Sequence, residues 1–349
     1  MSRIEVVAPN FNRRFSGVTA TVVALLPHQA QRIGIRALGP GLPASVPQLR
    51  WRDILLGGWR RPTGRPARIW HARRNVEMIA GVMLRYVLCQ PWRLVFTSAA
   101  QRHHSWITRA LIARMDAVIA TSPQAASYLK RPATVVLHGV DTARYRPAPD
   151  RAAAWAATGL PGRYGIGVFG RVRHQKGQDL FVAAMAELLP RHPAWTAVVI
   201  GLSKPEDAAF LEALKARIAA AGLSERVVLL GERPIEEVPL WLRRLSVVVT
   251  PARWEGFGLV PLEAMASATP VAATRVGAAA DLVREGETGL LLPPDDGPAL
   301  TRAIDALMTM DEASREAMGR AGRALVEAEF SIDREVEKIG AVYEAVWRG

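Results

Sequence analysis

The run WEGFGLVPLE, residues 254–263, carries two carboxylates, Glu255 and Glu263, with seven residues between them. Gly256 and Gly258 bare the backbone in between, and Pro261 suits the first turn of a helix because its missing N–H would be unpaired there anyway. The run therefore reads as the strand LSVVVTP, a tight loop and the helix VPLEAMASA, with Glu255 just outside the helix and Glu263 one turn inside. Naked amides at a helix start attract anions. Carboxylates flanking them can accept hydrogen bonds from hydroxyls, one set on a sugar and one on a ribose, while the amides hold phosphates. A simpler role for Glu263, complementing the helix dipole, stays open at this point.

A second loop with phosphate chemistry follows the strand YGIGVFG, where Gly170, Arg171, Lys176 and Gly177 lead into the helical QDLFVAAMAELL. A departing nucleoside diphosphate gains negative charge as its bond to the sugar breaks, and a positioned Arg and Lys with backbone amides stabilise it without a metal. No Asp-x-Asp pair occurs to hold a metal, and none is expected. The plainer alternative is a pair of solvated basic residues.

These loops need rigid elements to position them. Short apolar runs alternate with longer helical patterns: RIEVVAP, RIGIRAL, RIWHA, RLVFTSA, AVIATS and TVVLHGV precede residue 141. YGIGVFG, TAVVIG, RVVLLGE, LSVVVTP, PVAAT and GLLLPP follow between 164 and 294, with helical patterns at 177–190, 206–221 and 234–244. The alternation predicts two parallel α/β sheets in tandem. Ligands of such open sheets sit beyond the carboxyl ends of the strands, so two facing sheets make a cleft. The segment RYRPAPD, 144–150, reads as the connector, and a helical pattern resumes from 298 to the end.

Length and composition agree, because 349 residues with 50% hydrophobic content suffice for two domains with their own cores. Residues 1–150 hold 22 Lys+Arg against 6 Asp+Glu, a net of +16; the remaining 199 hold 23 against 26, a net of −3, which together make +13. A basic half beside a near-neutral half predicts one face that seeks an anionic surface or substrate. Nucleic acid is not the expected partner, since there is no zinc-finger spacing, RNA-recognition aromatic motif or obvious basic helix. The single cysteine, Cys89, excludes an internal disulfide and fits a reducing compartment. No apolar run approaches the roughly 18 residues of a membrane span, and the N-terminal MSRIEVVAPN is too brief for a secretory core. The expected location is the cytoplasm.

Together these residues resemble glycosyltransferases of the two-Rossmann-domain GT-B type, in the retaining group marked by Glu, seven residues, Glu. The match spans nearly the whole chain: HGVDTARYRP (138–147), GRVRHQKGQDLF (170–181), PARWEGFGLVPLEAMASATPVAA (251–273) and GETGLLLPP (286–294) look like that group's donor-side landmarks. VVAPNFNRRFSGVTATV, GPGLP, WHARRNVEM and FTSAAQRHH look more narrowly like bacterial lipopolysaccharide core mannosyltransferases, which move mannose from GDP-mannose to the Kdo region of lipid A precursors. The resemblance implies an α/β fold with an acceptor-side domain at 1–148, a nucleotide-sugar domain at 149–330, and a C-terminal helix at 331–349 packing toward the first domain. It implies that Arg171 and Lys176 grip the diphosphate, that Glu255 and Gly256 with the amides of Phe257, Gly258 and Leu259 orient the transferred sugar, and that Glu263 binds the ribose. Gly17 would face the same phosphates from the first domain, where glycine permits close approach of backbone to ligand. The chain departs from the common Gly-Gly pair here, having Ser16 and Gly17 after Arg13 and Arg14, and Ser16 could simply cap the helix.

Retaining enzymes of this kind use front-face attack, with no protein nucleophile and no cofactor beyond the nucleotide-sugar co-substrate. The resemblance implies a histidine near the reacting carbon, His103 first, with His104 and His71 as the other candidates. An acidic Kdo-bearing glycolipid acceptor would suit Arg73, Arg74, Arg102, His71, His103 and His104 near the ends of RIWHA and RLVFTSA, because arginine forks match carboxylates; a solvated basic rim is the alternative. Residues 50–61, RWRDILLGGWRR, place Trp51, Ile54, Leu55 and Trp59 on one helical side. They resemble an interfacial membrane helix, although Gly57 and Gly58 weaken it and such a stripe can pack on its own sheet. The expected setting is peripheral contact with an anionic membrane, at the inner face of the bacterial inner membrane. Two other classes remain open, a sugar-nucleotide epimerase on the same fold and a non-catalytic anionic-lipid binder.

Overall fold

β-Branched and apolar runs become the strands of two all-parallel sheets in a computed structural model that describes residues 3–12 and 17–349. The first sheet comprises β1 (Val6–Pro9), β2 (Ile35–Leu38), β3 (Gln48–Leu49), β4 (Arg68–Ala72), β5 (Trp92–Ser98), β6 (Ala117–Ala120) and β7 (Thr134–Val135). The second comprises β8 (Tyr164–Phe169), β9 (Trp195–Ile200), β10 (Val227–Gly231), β11 (Val247–Thr250), β12 (Val271–Thr274) and β13 (Gly289–Leu292). Every strand expected from the apolar runs is present. The two-residue β3 is additional, too short to leave a periodic pattern of its own.

Strand order is β3-β2-β1-β4-β5-β6-β7 in the first sheet and β10-β9-β8-β11-β12-β13 in the second. Each order reverses direction once, between β1 and β4 and between β8 and β11, where Val247 pairs with Ile166 and Val249 with Val168. Crossover helices leave such a reversal point on opposite faces, so a crevice opens beyond the strand ends there. The loops after β8 and β11 are the two that the sequence singles out for phosphate and sugar chemistry.

The chain forms two compact units, one from residues up to Gly139 together with Ile332–Gly349, the other Val140–Ser331. The segment 144–150 lies inside the second unit. Val140 forms a bridge with Ser331 and donates its N–H to the Phe330 carbonyl at 2.9 Å. Arg323 donates to the carbonyls of Thr142, Tyr145 and Ala266 at 3.1, 2.6 and 2.6 Å, tying this stretch to the helix Val260–Ala266.

The helix Ile332–Arg348 belongs to the first unit because its apolar residues recur at helical spacing and all face one way. Ile332, Val336, Ile339, Val342, Tyr343, Val346 and Trp347 enter the core that also holds Val6, Ile35 and Ile69. Trp347 donates its ring N–H to the Ala67 carbonyl at 2.9 Å, and the Arg65 guanidinium lies over the indole, 3.9 Å from its centroid. Trp347→Ala removes a buried indole and its hydrogen bond, and is expected to cost about 3–5 kcal/mol. A chemical-denaturation midpoint equal to wild type would place the docking energy elsewhere on the helix.

Candidate active site

The loop after β8 runs from Gly170 to Gly177, and the loop after β11 from Pro251 to Leu259. They touch where Gly177, at φ 73°, would put a Cβ only 2.0 Å from the Pro251 carbonyl oxygen, so no side chain fits. Arg253 staples the two. Its guanidinium donates to both Asp179 oxygens at 2.8 Å, to the His174 carbonyl at 2.6 Å and to Asp295 Oδ1 at 2.7 Å, while its backbone N–H reaches the Gln175 carbonyl at 2.9 Å. Burial pushes the Asp179 carboxyl up, but the bidentate Arg253 contact outweighs it and holds the group below its ordinary value. Gln178, fully buried, donates to the Arg171 carbonyl at 3.0 Å and fixes the other end of the first loop.

This scaffold brings Lys176 and Glu255 into direct contact, Nζ against Oε1, with both side chains about four-fifths buried. Lys176 closes a short 3₁₀ turn, His174–Lys176, and Glu255 comes from the facing loop. Beyond Glu255, Gly258 adopts φ 86°, and the Gly258 and Leu259 amides have no acceptor among the described residues. Phe257 is buried and its carbonyl accepts the Ala278 N–H at 2.8 Å, so the loop is anchored where it bends. The Arg171 side chain is exposed and its guanidinium makes no hydrogen bond or ion pair among the described residues. The arrangement offers two cations, two donor amides and a carboxylate around the ends of β8 and β11.

Glu263 lies in the first turn of the helix Val260–Ala266, where Tyr145 donates its hydroxyl to Oε1 at 2.9 Å. Burial pushes the Glu263 carboxyl above its ordinary value, with the Tyr145 hydrogen bond and nearby Arg144 pulling the other way. Tyr145 and Arg253 were not foreseen from the sequence. Tyr145 stands 118 residues from its partner and Arg253 74 from Asp179, separations that no local pattern encodes.

In the first unit, Gly17 opens the helix Gly17–Ala30, whereas Arg13, Arg14 and Ser16 lie outside the described residues. His71, on β4, is fully buried with both ring nitrogens taken, Nδ1 by the Tyr343 hydroxyl at 2.6 Å and Nε2 by Thr97 Oγ1 at 2.7 Å. Burial and the neighbouring Arg73 push it well below the ordinary imidazole value, so the ring is neutral. Arg74 is spent on local structure, donating to Asn10 Oδ1 at 2.6 Å, Thr19 Oγ1 at 2.8 Å and Glu77 Oε1 at 3.0 Å. Arg73 turns inward beside His71. Arg102 and His103 are exposed, His103 resting edge-on against Tyr128 with ring centroids 5.2 Å apart, and His104 sits 3.4 Å from Ser98 Oγ. The six residues expected to bind an acceptor thus divide between the interior and the surface.

Large exposed apolar side chains gather in residues 51–107. They include Trp51, Leu55, Leu56 and Trp59, then Val76, Ile79, Met83, Tyr86 and Val87, then Trp106 and Ile107. The Trp51–Gly57 helix only partly carries the expected stripe: Ile54 is fully buried, Trp51 leans on Phe11 and Trp70, and Trp59 lies beyond the helix end. Glycines 57 and 58 stop the helix before the stripe is complete. Among the described residues no helix is long and apolar enough to cross a membrane.

Residues 157–325 match a family described as glycosyl transferases group 1. The chain is similar to the lipopolysaccharide core biosynthesis mannosyltransferase LpcC of Rhizobium leguminosarum bv. viciae, 54% identical over 98% of this chain and 97% of that one. It is similar also to the lipopolysaccharide core biosynthesis mannosyltransferase LpsB of Rhizobium meliloti (strain 1021), 50% identical over 99% of this chain and 98% of that one. Among solved structures, Anabaena Alr3699/HepE in complex with UDP superposes with a TM-score of 0.83 at 18% identity, covering 98% of this chain and 100% of that one. At that identity the likeness speaks for the fold alone, two Rossmann-like domains on the GT-B plan.

Because the folded protein binds the Glu263 proton more tightly than the unfolded chain, this group's stabilising contribution is full below the unfolded carboxylate pKa and is lost as pH rises through the folded value. Glu263→Gln, which keeps an oxygen for Tyr145, should therefore gain thermal stability over wild type at pH 7 but not at pH 4. An offset that does not change with pH would show that Glu263 carries no buried charge.

Proposed function

We propose that this protein, which belongs to the group 1 glycosyl transferases, moves a hexose with retention of configuration, mannose from GDP-mannose, onto a Kdo-bearing lipopolysaccharide core acceptor. The observation that carries the reading is the Lys176–Glu255 pair at the reversal point of the second sheet, beside the unpaired amides of Gly258 and Leu259. A bound donor has a partner for each half of that pair: the diphosphate takes Lys176 and Arg171, and the hydroxyls of the sugar take Glu255. Glu263 keeps one oxygen on Tyr145 and offers the other to the ribose. The names of the relatives support mannose and the lipopolysaccharide core as donor sugar and acceptor.

In the transfer step the acceptor oxygen bonds to the anomeric carbon on the face from which the diphosphate departs. The bond from that carbon to the phosphate oxygen breaks, and the acceptor proton passes to a phosphate oxygen. Lys176 and Arg171 stabilise the charge that grows on the leaving group, an effect that is large where water is excluded. Glu255 fixes the sugar so that little orientational freedom is lost at the barrier. Within this reading His103, exposed with Arg102 beside it, is the histidine assigned to the reacting carbon or the acceptor.

The first unit supports peripheral attachment to an anionic membrane at the cytoplasmic face. Arg52, Arg60, Arg61 and Arg102 are exposed in the same stretch, 51–107, as the exposed apolar side chains, and such mixtures combine burial in the headgroup region with attraction to anionic lipid.

Lys176→Ala should lower kcat by roughly 10²–10³ with the unfolding midpoint little changed. GDP should stabilise the wild type against heating more than UDP does; the reverse order would overturn GDP-mannose as donor. The Leu56→Ser/Trp106→Ser double variant should sediment less with phosphatidylglycerol vesicles than wild type, and the wild type should release from them at high salt. Equal sedimentation of both proteins would move the membrane contact elsewhere.

A further inference from the structure

The first unit contains a small recess beyond the carboxyl ends of β4, β5 and β6, lined by Arg73, Thr97, Thr121 and His138 with apolar Leu25 and Ile339. Two of its polar groups, the Arg73 guanidinium and the Thr121 hydroxyl, are short of partners. The Arg73 guanidinium makes one long hydrogen bond, 3.4 Å to the His71 carbonyl, and no ion pair among the described residues. Burial pushes its pKa down, with Tyr343, Glu77 and Glu335 acting in the other direction. Thr121 is 1% exposed, and its hydroxyl has no hydrogen-bond partner. A buried hydroxyl and a poorly paired guanidinium both carry a desolvation penalty, which a ligand can relieve.

Thr97 completes the set through the chain of hydrogen bonds behind it. Gln29 Nε2 lies 3.5 Å from the Tyr343 oxygen, and that oxygen lies 2.6 Å from His71 Nδ1. In the neutral tautomer with the proton on Nε2, the ring donates to Thr97 Oγ1 and the Thr97 hydroxyl proton is available to the recess. Glu335, the acidic residue of the lining, has both oxygens engaged: Oε1 meets His138 Nδ1 at 2.8 Å and Oε2 accepts the Gly139 N–H at 2.8 Å. Three donors therefore converge, one cationic and two hydroxyl, with both oxygens of the nearby carboxylate already hydrogen-bonded elsewhere.

We infer that this recess is an oxyanion subsite in which Arg73, Thr97 and Thr121 hold the carboxylate of an acidic sugar. A planar guanidinium flanked by hydroxyl donors suits a two-oxygen group, and the narrow space takes the end of a ligand rather than a sugar ring. The inference rests on the proposed acidic acceptor for its biological ligand, and assigns that acceptor's carboxylate to a pocket in which Thr97 and Thr121 serve as specificity residues beside Arg73.

The test uses the full chain and two readouts. In direct binding, glucuronate should bind the wild type and glucose should not, and Thr121→Val, near-isosteric and without the hydroxyl, should weaken glucuronate by about tenfold. Arg73→Lys, which keeps the charge but loses the fork, should weaken it further. In the transfer assay, Thr121→Val should raise the KM for a Kdo-bearing acceptor by about the same factor, with kcat, the donor KM and the melting temperature unchanged. A carboxyl-reduced acceptor should be indifferent to the substitution. Binding of inorganic phosphate alone, glucuronate binding insensitive to both variants, or equal losses on the acidic and reduced acceptors would each overturn the assignment. If glucuronate binding depends on Arg73 and Thr121 while no acceptor receives sugar, the subsite stands and the proposed transfer falls. Normal transfer untouched by Thr121→Val would remove the subsite and leave the transfer in place.

Discussion

The contact on which the candidate active site depends is the one between the two loops at the reversal point of the second sheet. Gly177 lies so close to the Pro251 carbonyl that nothing larger fits, and Arg253 ties both loops to Asp179, His174 and Asp295. A bidentate guanidinium–carboxylate pair that is largely shielded from water has a preferred geometry as well as an energy. It fixes where Lys176 and Glu255 emerge. Without that constraint the two side chains would belong to separate loops with independent motions, and their pairing would be a surface ion pair of little consequence.

Charge is apportioned in the same spirit. In the second unit Lys176 is paired with Glu255, and Arg253 with Asp179 and Asp295, so these partly buried groups do not bear the full cost of an uncompensated charge. The first unit has many more cations than acids and treats them differently. Some, such as Arg74 and Arg65, are consumed by internal bonds to Glu77, Glu5 and Glu344. Others stay in water among exposed aromatic and aliphatic groups. Arg73 does neither, being enclosed with almost no partner, and that imbalance is what distinguishes its surroundings.

The buried line Gln29, Tyr343, His71, Thr97 links the C-terminal helix to the ends of two central strands of the first sheet. Burial lifts the Tyr343 hydroxyl to about 12 and lowers the histidine, so both groups are neutral. A neutral chain of this kind orients its last hydroxyl without placing a net charge in the core. The C-terminal helix thus contributes an apolar face to the core and a hydroxyl to this line.

Much was readable from residue order because it depends on local periodicity. Apolar runs of four to seven residues between helical patterns imply parallel strands with crossovers, and glycines and a proline at WEGFGLVPLE imply a strand, a bare loop and a helix start. Lys176, Glu255 and Glu263 could be singled out on those grounds, since each adjoins such a loop. What the chain order left undetermined was everything that depends on which distant residue arrives beside another. Tyr145 against Glu263, Arg253 against Asp179, and the inward turn of Arg73 toward the recess that the unpaired Thr121 hydroxyl also lines are outcomes of strand order and packing. The same holds for the histidines: sequence placed His71 and His103 near strand ends alike, but burial silenced one and left the other in water. Local pattern specifies the elements because periodicity is a property of neighbours in the chain, whereas desolvation and partnership are properties of neighbours in space.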